Sequence, residues 1–342
     1  MQISKRNGTV EAYEAGKIKR AMGAAFASVG TVLDDDEADR LIARIERAMA
    51  SAEQGEGGSV SVEDVQDLVE RALMEANHYE ELKSYILYRE DRARKRAARE
   101  RLCAQLPSVP ALPGVLASVQ KEFPGEEYEL AHLSAKFQSF AKPDAADGQL
   151  LAMLVKAAVE LTTQEAPRWE IIAARLLMVQ FDRALAERLA ARHIETFAQK
   201  VAFLTEEGLY GDYILQHYTP AELDEAAGFI DLSRNDLFTY AGLQLLLDRY
   251  VIRTHQGAPL ESPQEMFLGI ALHLAMEERA SERMGWVRRF YDMLSTLKVT
   301  MATPTLSNAR KPFHQLSSCF IDTVPDSLDG IYRSIDNFAK VS

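Results

Sequence analysis

The sequence predicts a mainly α-helical chain with small β elements, and three observations carry that reading. Apolar residues recur at helical spacing through almost every segment from residue 128 to residue 286. β signals are confined to a short hairpin pattern at residues 2–13 and to two brief runs at residues 297–301 and 319–322. The 342 residues are 47% hydrophobic, enough for two or three buried cores.

In chain order, Ile3 and Val10 flank Asn7-Gly8, a pair whose tolerance of positive φ suits a type I′ hairpin turn. A helix follows over residues 16–28. The acidic cluster Asp34-Asp35-Asp36 then opens a second, because carboxylates favour the positive end of the helix dipole. Leu41, Ile42, Ile45, Ala48 and Met49 form its apolar stripe, and the run from Gly55 to Ser59 breaks it. Ser61-Val-Glu-Asp64 resembles a capping box and starts a third helix with Val65, Leu68, Val69, Ala72 and Leu73 on one face. A fourth helix carries Tyr85, Ile86, Tyr88 and Arg89 and ends in an arginine-rich tail over residues 92–101. Prolines at 107, 110 and 113 mark residues 106–114 as a boundary, and residues 101–127 are expected to form a linker.

Beyond it, helices are expected over residues 150–162, 169–190, 241–253 and 263–279. Strands should return at residues 297–301 and 319–322. A last helix opens at Pro325-Asp-Ser, with Asp326 as its cap, and should bury Leu328, Ile331, Tyr332, Ile335 and Phe338.

A net charge of −12, from 51 acidic and 39 basic side chains, argues against a nucleic-acid surface. Cys103 and Cys319 form no ligand pattern, and the histidines at 193, 217, 255, 273 and 314 lack ligand spacing, so no metal site is expected. The start, MQISKRNGTVEAYE, is too polar for a signal peptide. The apolar run over residues 102–120 is interrupted by proline and glycine and cannot span a membrane. A reducing cytoplasm is the expected compartment.

Two constellations carry chemistry. Near the end, Met301-Ala-Thr-Pro-Thr-Leu-Ser-Asn leads to Ser317-Ser318-Cys319-Phe-Ile-Asp and then Thr323-Val-Pro-Asp-Ser-Leu-Asp-Gly-Ile. Hydroxyl donors suited to an anion stand beside a thiol there, although a lone cysteine is more often a small buried hydrophobe. At the other end, Lys5 and Arg6 precede the hairpin turn, Glu11 lies on the return strand, and Lys17-Ile-Lys-Arg20 opens the next helix. Basic residues at a helix N-terminus can hold a triphosphate, whereas isolated surface lysines are usually only solvated.

The C-terminal wording resembles the substrate-site entry of ribonucleotide reductase large (α) subunits over roughly forty residues. The resemblance implies a redox-active thiol at Cys319 and substrate contacts at Thr303 and Ser318. It also implies a specificity-effector site at Asp326, Ser327 and Leu328, and the opening of a ten-stranded α/β barrel over residues 297–342. Residues 128–296 are then the helical N-terminal domain. The order hairpin, three helices and Tyr85-Ile-Leu-Tyr-Arg89 resembles the ATP-cone, a module sensing ATP against dATP, over residues 1–100. That likeness implies nucleotide contacts at Ile3, Lys5, Arg6, Glu11, Lys17, Ile18, Val62, Gln66 and Arg92. Val62 and Gln66 stand where threonine and histidine are common, and the acidic Glu14 where a neutral amide can occur. Leu68-Val-Glu-Arg-Ala-Leu73 echoes Leu154-Val-Lys-Ala-Ala-Val159, read either as a degenerate second cone or as ordinary helix similarity.

The resemblance further implies self-association of α subunits, a small radical-generating β subunit and a thioredoxin- or glutaredoxin-type reductant. No metal is expected in this chain, the radical coming from the partner metallo-subunit or, in the cobalamin-dependent class, from adenosylcobalamin. Because no cysteine follows Cys319, the chain is expected to lack the radical cysteine, to be the N-terminal part of the enzyme, and to be inactive alone. A non-catalytic nucleotide-sensing regulator built on the ATP-cone is the alternative.

Overall fold

The computed structural model describes residues 2–5, 9–53, 60–142 and 144–341. The chain divides into two compact units, Met1–Glu100 and Arg101–Ser342. Arg6, the Asn7-Gly8 turn and the glycine-rich break at residues 55–59 lie outside the described residues.

The first unit starts with β1 (Gln2–Ser4) and β2 (Val10–Ala12), paired antiparallel with Ile3 opposite Glu11. A short β3 (Val60–Ser61) adds in parallel to β1, giving the order β2-β1-β3. Around it lie α1 (Ala15–Ser28), α2 (Asp35–Glu53) and α3 (Val62–Glu75). Asp34 Oδ1 accepts from the Glu37 amide at 2.8 Å, so the acidic cluster both caps α2 and complements its dipole. Met22 and Phe26 of α1, Leu41, Ile45 and Met49 of α2, and Val69 and Leu73 of α3 close the core. α4 (Tyr79–Ala104) continues helical through the arginine-rich tail.

Residues 101–127 are not a linker. Leu106, Val109, Leu112, Leu116 and Val119 are all buried, and α5 (Leu112–Glu122) runs through the stretch. Proline in a first helical turn costs nothing, because its missing N–H would have no intrahelical partner there. Pro113 therefore helps to start α5 and does not break the chain there.

The second unit continues with a 3-10 turn (Glu126–Tyr128), α6 (Leu130–Gln138), α7 (Asp147–Glu160), α8 (Trp169–Ala190), α9 (Phe197–Glu206), α10 (Tyr213–His217) and α11 (Pro220–Ala227). A second 3-10 turn (Leu232–Leu237) leads to α12 (Tyr240–Arg249), α13 (Pro263–Ala275) and α14 (Ala280–Ser295). α13 is buried almost all round, the pattern of a central core helix. The segment echoing Leu68–Leu73 lies in α7, and among the described residues of this unit strand pairing is limited to one isolated bridge, Arg253 to Pro259.

The strands expected at residues 297–301 and 319–322 do not form, so no barrel strand is seen among the described residues. Leu297 takes a left-handed φ of 57° to close α14, and Pro304 falls in the first turn of α15 (Thr303–Asn308). A strand needs a paired neighbour for its backbone groups, and neither segment has one here. α16 (Leu328–Val341) does form, but its cap is Ser327, whose Oγ accepts from the Gly330 amide at 3.1 Å, and not Asp326. Its apolar stripe is exposed: Leu328 is 72% accessible, and Ile331, Tyr332, Ile335 and Phe338 are exposed with it.

Candidate functional site

In the first unit a cavity of about 220 Å³ lies between the sheet, α1, α3 and α4. Ile3, Lys5, Glu11, Lys17, Ile18, Val62 and Gln66 all line it. These residues are far apart in sequence, and β3 explains their meeting. Its pairing with β1 sets Val60 opposite Ile3, which brings the N-terminus of α3 beside the hairpin. The Ser61 capping box then holds that end: Ser61 Oγ accepts from the Asp64 amide at 3.1 Å, and Asp64 Oδ2 accepts from the Ser61 amide at 2.8 Å. The Ser61 hydroxyl, which donates to Asp64 Oδ2 at 2.7 Å, and then the Ser61 amide hold the Asp64 carboxyl below its ordinary pKa.

The cavity has two characters. Ile18, Val65, Val69 and Tyr85 make an apolar floor, and burial pushes the Tyr85 phenol up to about 12. Burial, then the charge of Glu46, moves Tyr13 to a similar value. Over this floor stands a charged rim. Lys5 pairs with Glu11, and Lys17 lies 3.1 Å from Glu14 and 3.8 Å from Glu11. The Lys5 hydrogen bond, outweighing residual desolvation, keeps the Glu11 carboxyl below its usual range. All four side chains are 42–58% accessible, so these pairs are individually weak. Two lysines balance two glutamates, leaving a rim that an incoming polyanion can rearrange at little cost. α1 has no side-chain N-cap, and its Lys17 amide donates to the Glu14 carbonyl at 3.0 Å.

Two expected contacts fall elsewhere or outside. Arg92 lies exposed on α4, its guanidinium 5.7 Å from the Tyr88 ring, and does not line the cavity. Arg6 is outside the described residues. Tyr13, Val65, Val69 and Tyr85 also line the cavity, beyond the contacts that the sequence predicts. The apolar stripe of α3 could have flagged the two valines, since a stripe serves a core and a cavity floor alike.

The thiol segment is arranged differently. Cys319 is a free, exposed thiol, and Ser318 Oγ lies 3.8 Å from its Sγ. Thr303 Oγ1 is 3.3 Å from the Tyr250 hydroxyl. The described hydrogen bonds therefore tie Thr303 to α12 and Ser318 to its own neighbour, and do not join the two. Asp326 and Leu328 are exposed, while Ser327 is engaged in capping α16. Cys103, the other thiol, is half-buried on α4 and not in a disulfide.

What is firmly built in this unit is the anchor just before the thiol. Arg310 and Glu261 are both fully buried and paired. Arg310 also donates to the Leu306 carbonyl at 2.8 Å and the Tyr250 carbonyl at 2.7 Å. Glu261 accepts from the Tyr210 hydroxyl at 2.9 Å and the Ile252 amide at 2.7 Å. Gly269 of α13 makes room for it: a Cβ there would sit 2.6 Å from Tyr210 Oη and 2.7 Å from Arg310 Cδ. Among the described residues no cluster of three or more His, Cys, Asp or Glu could hold a metal ion, and no helix is long and apolar enough to cross a membrane.

Residues 1–94 match the ATP cone domain, and residues 236–314 match the all-alpha domain of ribonucleotide reductase. The chain is 54% identical over 345 residues to the ribonucleoside-diphosphate reductase subunit alpha of Treponema pallidum, an alignment covering all of this chain and 40% of that relative. It is 31% identical over 381 residues to the subunit of the same name from Chlamydia trachomatis, covering all of this chain and 35% of the relative. With Escherichia coli ribonucleoside-diphosphate reductase 1 subunit alpha it shares 31% over 188 residues, 55% of this chain and 24% of that one. The chain belongs to the ribonucleotide reductase α-subunit family. It matches the N-terminal portion of the first relative and spans about two fifths of its length.

Proposed function

We propose that the first unit binds ATP and dATP as allosteric effectors, and that residues 303–328 supply part of a ribonucleoside-diphosphate reducing site. The cavity that gathers Ile3, Lys5, Glu11, Lys17, Ile18, Val62 and Gln66 is the observation that supports this reading. Its volume, about 220 Å³, is below the ~300–1,000 Å³ of pockets that enclose a whole ligand. It suits the base and ribose, with the phosphates emerging over the rim, where Lys5 and Lys17 exchange their glutamate partners for phosphate oxygens. Arg6 and Arg92 remain in the proposal as nucleotide contacts.

In the reducing site, Cys319 is one of two thiols that supply the electrons. The ribose 2′-hydroxyl leaves as water and the two thiols become a disulfide. Thr303 and Ser318 hold the substrate diphosphate and ribose, and Asp326, Ser327 and Leu328 bind a specificity effector. Cys103, half-buried on α4, is not assigned to the second redox thiol or to the radical thiol. α-Subunit self-association, a radical-generating metallo-subunit or adenosylcobalamin, a thioredoxin- or glutaredoxin-type reductant and a cytoplasmic setting complete the proposal.

Calorimetric titration of the full chain with ATP and with dATP tests the effector site. Saturable binding is expected, weakened on the order of a hundredfold by Lys5→Ala with Lys17→Ala, since each loses a charge-assisted bond. Unchanged affinity in the double variant would remove the site assignment, and no binding by the unaltered chain would remove the function.

A further inference from the structure

The rim of the effector cavity already holds anions of its own. Lys17 has Glu14 at 3.1 Å and Glu11 at 3.8 Å, and Lys5 is paired with Glu11. Glu14 lines the cavity together with both lysines. It is also the N-cap residue of α1, so its charge answers the positive end of that helix. A phosphate at the start of α1 would find the lysine and the helix dipole both met by one carboxylate of the chain. Glu11 does the same for Lys5 and is held ionised there by the Lys5 hydrogen bond. The floor is unlike the rim: Ile18, Val65, Val69 and Tyr85 are buried and carry no charge that a ligand must displace.

Resting on the effector reading above, we propose that Glu14, with Glu11, stands in for phosphate at this rim, so that the site takes adenine nucleotides of any phosphate number and reads base and ribose. Each lysine exchanges one oxyanion for another when a phosphate arrives. The exchange costs little, and for the same reason it gains little. The displaced carboxylates stay beside the phosphates, and their repulsion offsets part of what the lysines contribute. With all four side chains 42–58% accessible, each ion pair is worth at most about fivefold in affinity. Removing both lysines is the larger change, because it leaves Glu11 and Glu14 unpaired against the triphosphate.

Calorimetric titration of the full chain with ATP and with AMP, at one ionic strength, reads the two outer phosphates. ATP should bind no more than about tenfold more tightly than AMP. Glu14→Gln keeps the size of the side chain and removes the competing charge. It should raise the ATP-to-AMP affinity ratio about fivefold, chiefly by tightening ATP. Asp35→Asn is the control for net charge. Asp35 is 91% accessible, pairs with Lys19 on the same unit and does not line the cavity, so the ratio should stay as in the unaltered chain. A ratio of more than about tenfold in the unaltered chain, an unchanged ratio in Glu14→Gln, or an equal rise in Asp35→Asn would each overturn the inference while leaving the effector site in place. Saturation by neither nucleotide would instead remove the effector reading, and this inference with it.

Discussion

The effector cavity and the thiol segment are both read from short motifs, yet only the first is assembled. Ile3, Val62 and Gln66 meet because one parallel pairing, β1 with β3, fixes the start of α3 against the hairpin. Cys319 has no comparable constraint. It follows the buried Arg310 by nine residues; His314, its ring 4.6 Å from that of Tyr213, and Leu316, packed on the core, hold the chain between them, while Cys319 itself is exposed. A site becomes preorganised when backbone pairing or a buried core crosses between its residues, and hydroxyls beside a thiol in sequence do not achieve that alone.

The strongest way to break the contrast is to remove the anchor. Glu261→Ala would leave Arg310 charged, fully buried and unpaired, which costs about 3–5 kcal/mol. Chemical denaturation should show that loss in the transition of the second unit, with ATP affinity of the first unit unchanged. A loss below about 1 kcal/mol would mean that water reaches Arg310 and that the anchor is not what fixes residues 303–310.

How much of this was legible follows the same division. Helix positions were readable wherever apolar spacing was regular, as over residues 169–190, and the Ser61 cap was readable because its bonds are local. Failures came where a residue serves two uses. Pro113 reads as punctuation but starts α5, and residues 297–301 read as strand but have no neighbour to pair with. Leu328 and Ile331 read as core, since amphipathic spacing reports a face and not what covers it. The Lys5–Glu11 and Lys17–Glu14 pairs that neutralise the rim were invisible, because they depend on side chains meeting in space.

Acid should act on the second unit through two groups of opposite sign. His273 is 6% accessible, within 2.9 Å of the Tyr213 hydroxyl, and burial followed by the charge of His314 lowers its pKa to about 4. Its folded pKa lies below the unfolded value, so its contribution is complete above pH ~6.5 and is lost as pH falls toward 4. The loss approaches about 3 kcal/mol for a shift of this size. Asp182, raised to about 6, works in reverse: it stabilises at low pH and loses that contribution as pH rises through 6. Stability measured between pH 7 and 4.5 should therefore fall more steeply in Asp182→Asn and less steeply in His273→Gln. Identical slopes in all three proteins would mean that neither group is desolvated as the structure has it.

The smallest expected effect bears most directly on what separates the two regions, because it compares two serine caps of similar geometry. Ser61 starts α3, whose Val65, Val69 and Leu73 are buried and whose Val62 and Gln66 line the effector cavity. Ser327 starts α16, whose apolar stripe is exposed. Losing a serine cap costs ~1 kcal/mol where the helix is coupled to a core. Ser61→Ala should therefore lower the stability of the first unit by about that much. It should also weaken ATP binding a few-fold, because the same bonds hold the start of α3 against the hairpin. Ser327→Ala should leave the global transition unchanged, since α16 opens locally before the core does. Hydrogen exchange reads this directly: amides of α16 should exchange well before those of α3 in the unaltered chain, and Ser327→Ala should accelerate only α16. Equal protection of the two helices would show that the exposed face of α16 is covered in solution, and the contrast between an assembled and an open region would then have to be withdrawn.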